Sequence, residues 1–259
     1  MKRIFSFILI TLISGSAWAQ AYDPLRPPNT YQNSDNPYYW KNRKPYPGYW
    51  QQDTYYRIKA NVDEQTDIIT AEQQLTYTNN SPDTLHFVFF HLYQNAFQPG
   101  SYSEKLHRAN KVKPEYGKYE SQKLNTVVDK MQSEGIDLKT ELDNTILKVW
   151  LQKPLLPNSE ITLDIAFRTY FDKGSVRRRM KTFDAYGNKH YDGVHWYPRI
   201  CVYDRKFGWE TDQHLGKEFY GDFGAYDVEL TFAENYVMEA TGFLLNREEV
   251  LPEELRKKL

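Results

Sequence analysis

The chain has 259 residues, with 33 Lys and Arg against 34 Asp and Glu and a formal charge of −1. That balance excludes the basic footprint of a nucleic-acid binder and the acidic, aromatic-poor composition of a disordered chain. A single cysteine excludes an intrachain disulfide and a cysteine-rich zinc site, and the length suits one large domain or two small ones.

Lys2 and Arg3 precede a short apolar run over residues 4–13, then Ala17-Trp18-Ala19. This is the pattern of a secretory signal peptide cleaved after Ala19; the apolar run is well short of the ~20 residues that span a bilayer. The expected location is secreted or periplasmic, with no membrane span once residues 1–19 are removed. Residues 20–50 are rich in Pro, Asn and Tyr without an apolar period, and read as an extended arm.

From Thr54 the pattern alternates. Tyr56, Ile58, Ala60 and Val62 fall on one face, and Arg57, Lys59 and Asn61 on the other, which predicts a strand. Residues 69–78 alternate less cleanly and lead into the turn signal Asn79-Asn80-Ser81-Pro82-Asp83. Residues 84–93 are apolar on both faces, as expected of a strand covered on two sides. A short helix is expected over 103–108 inside a polar insertion. Further strands are expected over 127–132, 146–151 and 161–170, with Pro157-Asn158 turning the chain. The run Arg177-Arg178-Arg179 reads as a solvated loop rather than an anion site. Residues 226–232 and 236–243 are expected to pair as a hairpin, with Met238-Glu239 inside its second strand. Residues 248–259 have the composition of a helix or linker, with Pro252 near its start. The fold class expected is all-β, with residues 51–247 forming the β-rich domain.

No obvious catalytic constellation emerges. The histidines are His86, His91, His107, His190, His195 and His214, and none begins an H-E-x-x-H helix. The pairs His86/His91 and His190/His195 are spaced by an odd number, which sends them to opposite faces of a strand. No metal ligand set is expected in this chain. No G-x-S-x-G, G-x-G-x-x-G or Walker A pattern occurs. Cys201, flanked by Ile200 and Val202, is expected to be buried and inert. The densest stretch is 191–228, where aromatics, carboxylates and single His, Arg and Gln residues alternate. Either it packs its aromatics into a core or it forms a recognition surface.

Two blocks carry a resemblance. One runs His195-Trp196-Tyr197-Pro198-Arg199, Val202-Tyr203-Asp204, Gly208-Trp209, Asp212-Gln213-His214-Leu215-Gly216 and Glu218-Phe219-Tyr220, followed by Tyr226-Asp227-Val228, Asn235-Tyr236-Val237 and Ala240-Thr241-Gly242. The other links the stretch from Leu75 to Leu85 with His91-Leu92-Tyr93-Gln94-Asn95-Ala96-Phe97-Gln98-Pro99-Gly100. In this order they resemble the N-terminal domain of the secreted bacterial branch of the aminopeptidase N family of zinc metallopeptidases. The resemblance covers about residues 50–259, more weakly over 101–174.

The resemblance implies a saddle-shaped antiparallel β-sandwich-like domain that ends before a thermolysin-like catalytic domain and forms one wall of its cleft. It implies peptide substrates for the parent enzyme. It also implies that zinc, the general-base Glu and most of the amine-gripping motif belong to that next domain, with no cofactor in this chain. His195, Trp196, Tyr197 and Arg199 are the expected substrate-facing residues. His195 falls near the polar residue that the family points at the substrate amine, where Gln is common. The competing expectations are a secreted β-sandwich that binds glycan or protein through exposed aromatics, and a purely structural domain.

Overall fold

The computed structural model describes residues 48–173, 180–215 and 220–257. The expected leader, the arm as far as Pro47, the Arg177-Arg178-Arg179 run and Gly216 to Phe219 lie outside the described residues. The chain divides after Tyr49, and its second unit, Trp50–Leu259, is compact.

The second unit is all-β. Its strands are β1 Asp53–Asp63, β2 Ile68–Asn79, β3 Leu85–His91, β4 Thr126–Ser133, β5 Ile136–Asp137, β6 Thr140–Asp143 and β7 Ile146–Leu155. They continue as β8 Ser159–Tyr170, β9 Lys181–Ala185, β10 Asn188–Asp192, β11 Arg199–Ile200, β12 Tyr203–Asp204, β13 Gly208–Trp209 and β14 Ala225–Thr231. One sheet has the order β14-β1-β2-β8-β4-β5, and a second has the order β11-β3-β7-β6. The remaining pairs, β9 with β10 and β12 with β13, are short ribbons.

The alternation read from the sequence places the core. Tyr56, Ile58 and Ala60 are buried on β1, opposite Leu75, Gln73 and Ala71 of β2. Leu163, Ile165 and Phe167 of β8 continue that face across from Leu75, Gln73 and Ala71. On the second sheet, Val88 and Phe90 of β3 sit opposite Val149 and Leu147 of β7, all buried. The register slips between Leu85 and Phe87, so Leu85 also turns into the core, as a β-bulge allows. The inner faces of both sheets belong to one hydrophobic cluster, and each fully buried aliphatic or Phe side chain contributes about 1.5–3 kcal/mol.

The short helix expected in the insertion is α1, Tyr102–Ala109. Ser101 caps it by accepting the Glu104 N–H, the usual way to satisfy a free helix-start donor. A second turn, α2, spans Lys118–Ser121. At the C-terminal end the expected helix is present as two single turns, α3 Arg247–Val250 and α4 Glu253–Arg256. Leu251 between them is extended, at φ −96° and ψ 133°, because a residue before proline disfavours helical backbone.

The expected hairpin over 226–243 does not form. Its first limb is β14, but β14 pairs in parallel with β1, Tyr56 against Tyr226 and Ala60 against Leu230. Its second limb, with Met238-Glu239, is not a strand. The chain does turn after Phe232, where the Tyr236 N–H donates to the Ala233 carbonyl at 3.0 Å. There the Phe232 and Tyr236 rings stack at 4.2 Å, and both meet Tyr191 edge-on. This aromatic cluster holds the chain close to β10 instead of letting it run back along β14.

Candidate functional site: a shelf held by the polar exceptions of the core

The core faces of β1, β2 and β8 carry a few groups that can hydrogen-bond: the Tyr56 hydroxyl, Gln73 and Thr169, all on buried residues. All three reach the same segment. Thr169 Oγ1 donates to the Trp196 carbonyl at 2.7 Å. Gln73 Nε2 donates to the Pro198 carbonyl at 2.9 Å. The Ile200 N–H donates to the Tyr56 hydroxyl oxygen at 3.1 Å. From the other sheet the Cys201 N–H donates to the Phe89 carbonyl at 2.8 Å. Residues 196–201 are therefore a shelf bound to both sheets through buried hydrogen-bonding groups.

His195 begins the shelf in a left-handed conformation, φ 57°, which is uncommon outside glycine but tolerated by His more than by most residues. Gln94 holds it there, its Nε2 donating to the carbonyls of Val194 at 2.7 Å and His195 at 3.3 Å. The His195 ring lies 4.8 Å from the Tyr93 ring and 6.5 Å from His214. Tyr93 also stacks on His91 at 4.7 Å and meets His214 edge-on at 5.6 Å. His91 Nε2 is 3.0 Å from Glu210 Oε2. Burial lowers the His214 pKa, and His91 beside it adds to the effect. Burial raises the Tyr93 pKa well above the ordinary phenol range, against the pull of Arg199.

The other three expected residues sit alongside. Trp196 packs inward, 6.1 Å from Phe167 and 5.5 Å from Tyr197 between ring centres. Tyr197 meets Tyr56 and Tyr226 edge-on, and its hydroxyl donates to the Tyr226 hydroxyl at 3.2 Å. Arg199 opposes His91 across β11 and β3, and its Nη2 donates to the Asp222 carbonyl at 2.9 Å. A Cβ on Gly221 would come within 2.1 Å of that guanidinium, so a larger residue there would displace it.

The structure thus brings His195, Tyr197 and Arg199 together with residues that the sequence alone did not single out: His91, Tyr93, Glu210, His214 and Asp222. The signal available was that His91 and Tyr93 fall in the same resembling block as Gln94, and His214 in the same block as His195. Of the odd-spaced pair, His86 is exposed and His91 buried; the register slip between Leu85 and Phe87 interrupts the alternation between them.

Cys201 is fully buried, and burial raises its thiol pKa well above the ordinary value. The native protein is expected to leave this thiol unmodified by iodoacetamide at pH 8 and to label fully in denaturant; rapid native labelling would contradict the burial. Asp222 has its carboxyl pushed up to about 6, by burial first and by Asp204 among its neighbours. A carboxyl whose folded pKa exceeds its unfolded one binds extra protons in the native state between the two values. Asp222 therefore adds stability below its unfolded pKa, and this is lost as pH rises through about 6. Urea midpoints measured from pH 4 to 7 are expected to fall less in Asp222→Asn than in the wild type; identical slopes would rule this out.

Among the described residues no group of three or more His, Cys, Asp or Glu is arranged to hold a metal, and the histidines around Tyr93 contact rings rather than a common point. The arrangement offers instead a fixed guanidinium, phenols and imidazoles on a rigid backbone, which suits binding and orientation.

No family model matches the chain, and no curated protein matches it. Solved structures do. An M1 zinc metallopeptidase variant from Deinococcus radiodurans, bound to a Tyr-Ser-Ala substrate, aligns at TM-score 0.40 and 12% identity over 74% of this chain and 35% of that one. A two-domain M1 zinc metallopeptidase variant bound to L-arginine aligns at TM-score 0.37 and 13% identity, over 71% of this chain and 33% of that one. The M1 zinc metallopeptidase from Deinococcus radiodurans aligns at TM-score 0.29 and 13% identity, over 49% and 21%. The chain is thus similar, at low identity and over about a fifth to a third of their length, to M1 zinc metallopeptidase structures.

Proposed function

We propose that this chain is the N-terminal, cleft-forming domain of a secreted or periplasmic zinc aminopeptidase-like protein of the aminopeptidase N family, and that it does not hydrolyse peptides by itself. The observation that carries the reading is the shelf over residues 196–201. Part of the block that bears the resemblance is held by buried hydrogen-bonding groups of β1, β2 and β8. A wall that positions a peptide must be rigid to be useful, and three strands are tied to this one. His195, Tyr197 and Arg199 would face the substrate side, with Trp196 fixing the shelf on the core.

The second support is apolar surface. Phe223, Phe243 and Leu245 are each more than 90% exposed, and Val228 and Val237 about half exposed. Apolar side chains this exposed are available to pack against another surface. In this reading that surface is a thermolysin-like catalytic domain, which would bring zinc and the general base. Open zinc and an adjacent base are what amide hydrolysis requires. Residues 20–259 supplied with zinc are expected to give no release of p-nitroaniline from aminoacyl-p-nitroanilides; zinc-dependent turnover by this chain alone would overturn the reading.

A further inference from the structure

The helix α1 is turned the wrong way for a globular surface. A surface helix normally buries an apolar stripe and shows its polar face to water. On α1 the side turned toward the protein is polar: Ser103 is buried, and Glu104 and His107 are half-buried. The opposite stripe, at positions i, i+3, i+4 and i+7, is Tyr102, Lys105, Leu106 and Ala109, all exposed. Tyr102 is 40% exposed, Leu106 45% and, just past the helix, Val112 51%. The chain returns to the interior at Pro114, which is buried.

Charge gathers on the same segment. Residues 105–113 hold Lys105, Arg108, Lys111 and Lys113 and no carboxylate, in a chain of formal charge −1. Of these cations, Arg108 is spent on Glu104, at 2.7 Å. Lys111 and Lys113 are exposed and share no ion pair among the described residues. Lys105 Nζ lies 4.9 Å over the Tyr102 ring, a contact that leaves its charge in place. Lys123 adds an exposed ammonium beside Gly100. The other carboxylates nearby are Asp143, which accepts the Tyr102 hydroxyl at 3.2 Å, and Glu115, two residues past Lys113. The lysines therefore outnumber the carboxylates, and exposed apolar side chains interleave with them. That interleaving suits a fluid interface, where apolar groups sink below the headgroups and lysines stay level with the phosphates.

We propose that α1 and residues 110–113 form a reversible docking surface for an anionic phospholipid bilayer. Tyr102, Leu106 and Val112 enter the headgroup layer, and Lys105, Lys111 and Lys113 meet its phosphates. The surface is independent of the cleft-wall reading and stands or falls separately from it. Residues 20–259 are sedimented with vesicles of phosphatidylglycerol and phosphatidylcholine in equal parts, or of phosphatidylcholine alone. The leader expected over residues 1–19 is left out because its apolar run would bind lipid by itself. Co-sedimentation with the anionic vesicles only is expected, falling as NaCl is raised. Lys105→Ala with Lys111→Ala and Lys113→Ala is expected to weaken it at least about tenfold, at roughly fivefold per cation near an anionic surface. The same charge change on the strands, Lys59→Ala with Lys130→Ala and Lys153→Ala, is expected to alter it less than about twofold. Leu106→Ser with Val112→Ser keeps every charge and is expected to weaken it several-fold. Circular dichroism melts matching the wild type show that the variants are folded. No co-sedimentation at about 5 mM lipid, equal binding to the neutral vesicles, equal losses in the two lysine triples, or unchanged binding by the serine variant would each overturn the proposal. Binding of soluble polyglutamate without binding of vesicles would assign the surface to an acidic protein and also overturn it.

Discussion

Replacing Asp172 by alanine is expected to cost at least about 3 kcal/mol of stability. The side chain is 6% exposed and accepts four backbone N–H groups, three of them from the turn that opens α2. Each hydrogen bond to a charged group contributes about 1.5–3 kcal/mol, and donors left buried without a partner cost more than bonds never made. The losses are not additive, since the turn will open to water once its anchor is gone. Asp172→Asn keeps one acceptor oxygen but turns an amino group toward N–H donors, so it should recover only part of the loss. Gly117→Ala attacks the same contact from the other side, by steric conflict. Urea denaturation with an unchanged m-value is the readout; a loss below about 1 kcal/mol would show that the turn is not held in this way.

Arg199→Ala is expected to cost about 2–4 kcal/mol and to loosen residues 220–224. The guanidinium fills the space that Gly221 leaves open, and it donates to the Asp222 carbonyl. The half-buried guanidinium lies among Tyr197, Tyr93, Tyr226 and Tyr56. Alanine leaves a void there and an unmet carbonyl. Lysine restores charge but not the planar fork, so Arg199→Lys should rescue little. Hydrogen exchange of the amides at 221–224, together with the denaturation midpoint, reads both effects. Unchanged exchange would mean that Arg199 does not anchor that segment.

Much of the sheet framework was legible because alternation is a local property. Tyr56-Ile58-Ala60 and the strands around Leu75, Leu163 and Val149 announce their inner faces directly. The parallel pairing of β14 with β1 was not legible. It joins residues far apart in sequence, and nothing in residues 225–231 distinguishes a parallel neighbour from a hairpin partner. The failed second limb at 236–243 shows the same limit: its alternation is real, but the stack of Phe232 on Tyr236 beside Tyr191 decides where the chain goes. The break at Leu251-Pro252 was missed: residues 248–259 read as one helix or linker, although proline restricts the residue before it.

The site was half legible. His195, Tyr197 and Arg199 were singled out within a resembling block; His91, Tyr93 and His214 lay in the same blocks without being singled out, and with Glu210 they meet from separate strands and loops. Spacing cannot reveal that meeting, because it is set by the register of β3 against β11 and by the loop after β13. Gln73 and Thr169 are the more instructive case. In the sequence they interrupt an apolar face; in the fold they are the hydrogen bonds that place the shelf.

The most direct measurement of the central claim is the nucleotide sequence of the reading frame beyond Leu259. A wall domain of a zinc aminopeptidase predicts continuation into a second domain carrying H-E-x-x-H and a downstream Glu. A stop codon directly after Leu259, or a continuation without those ligands, would contradict it.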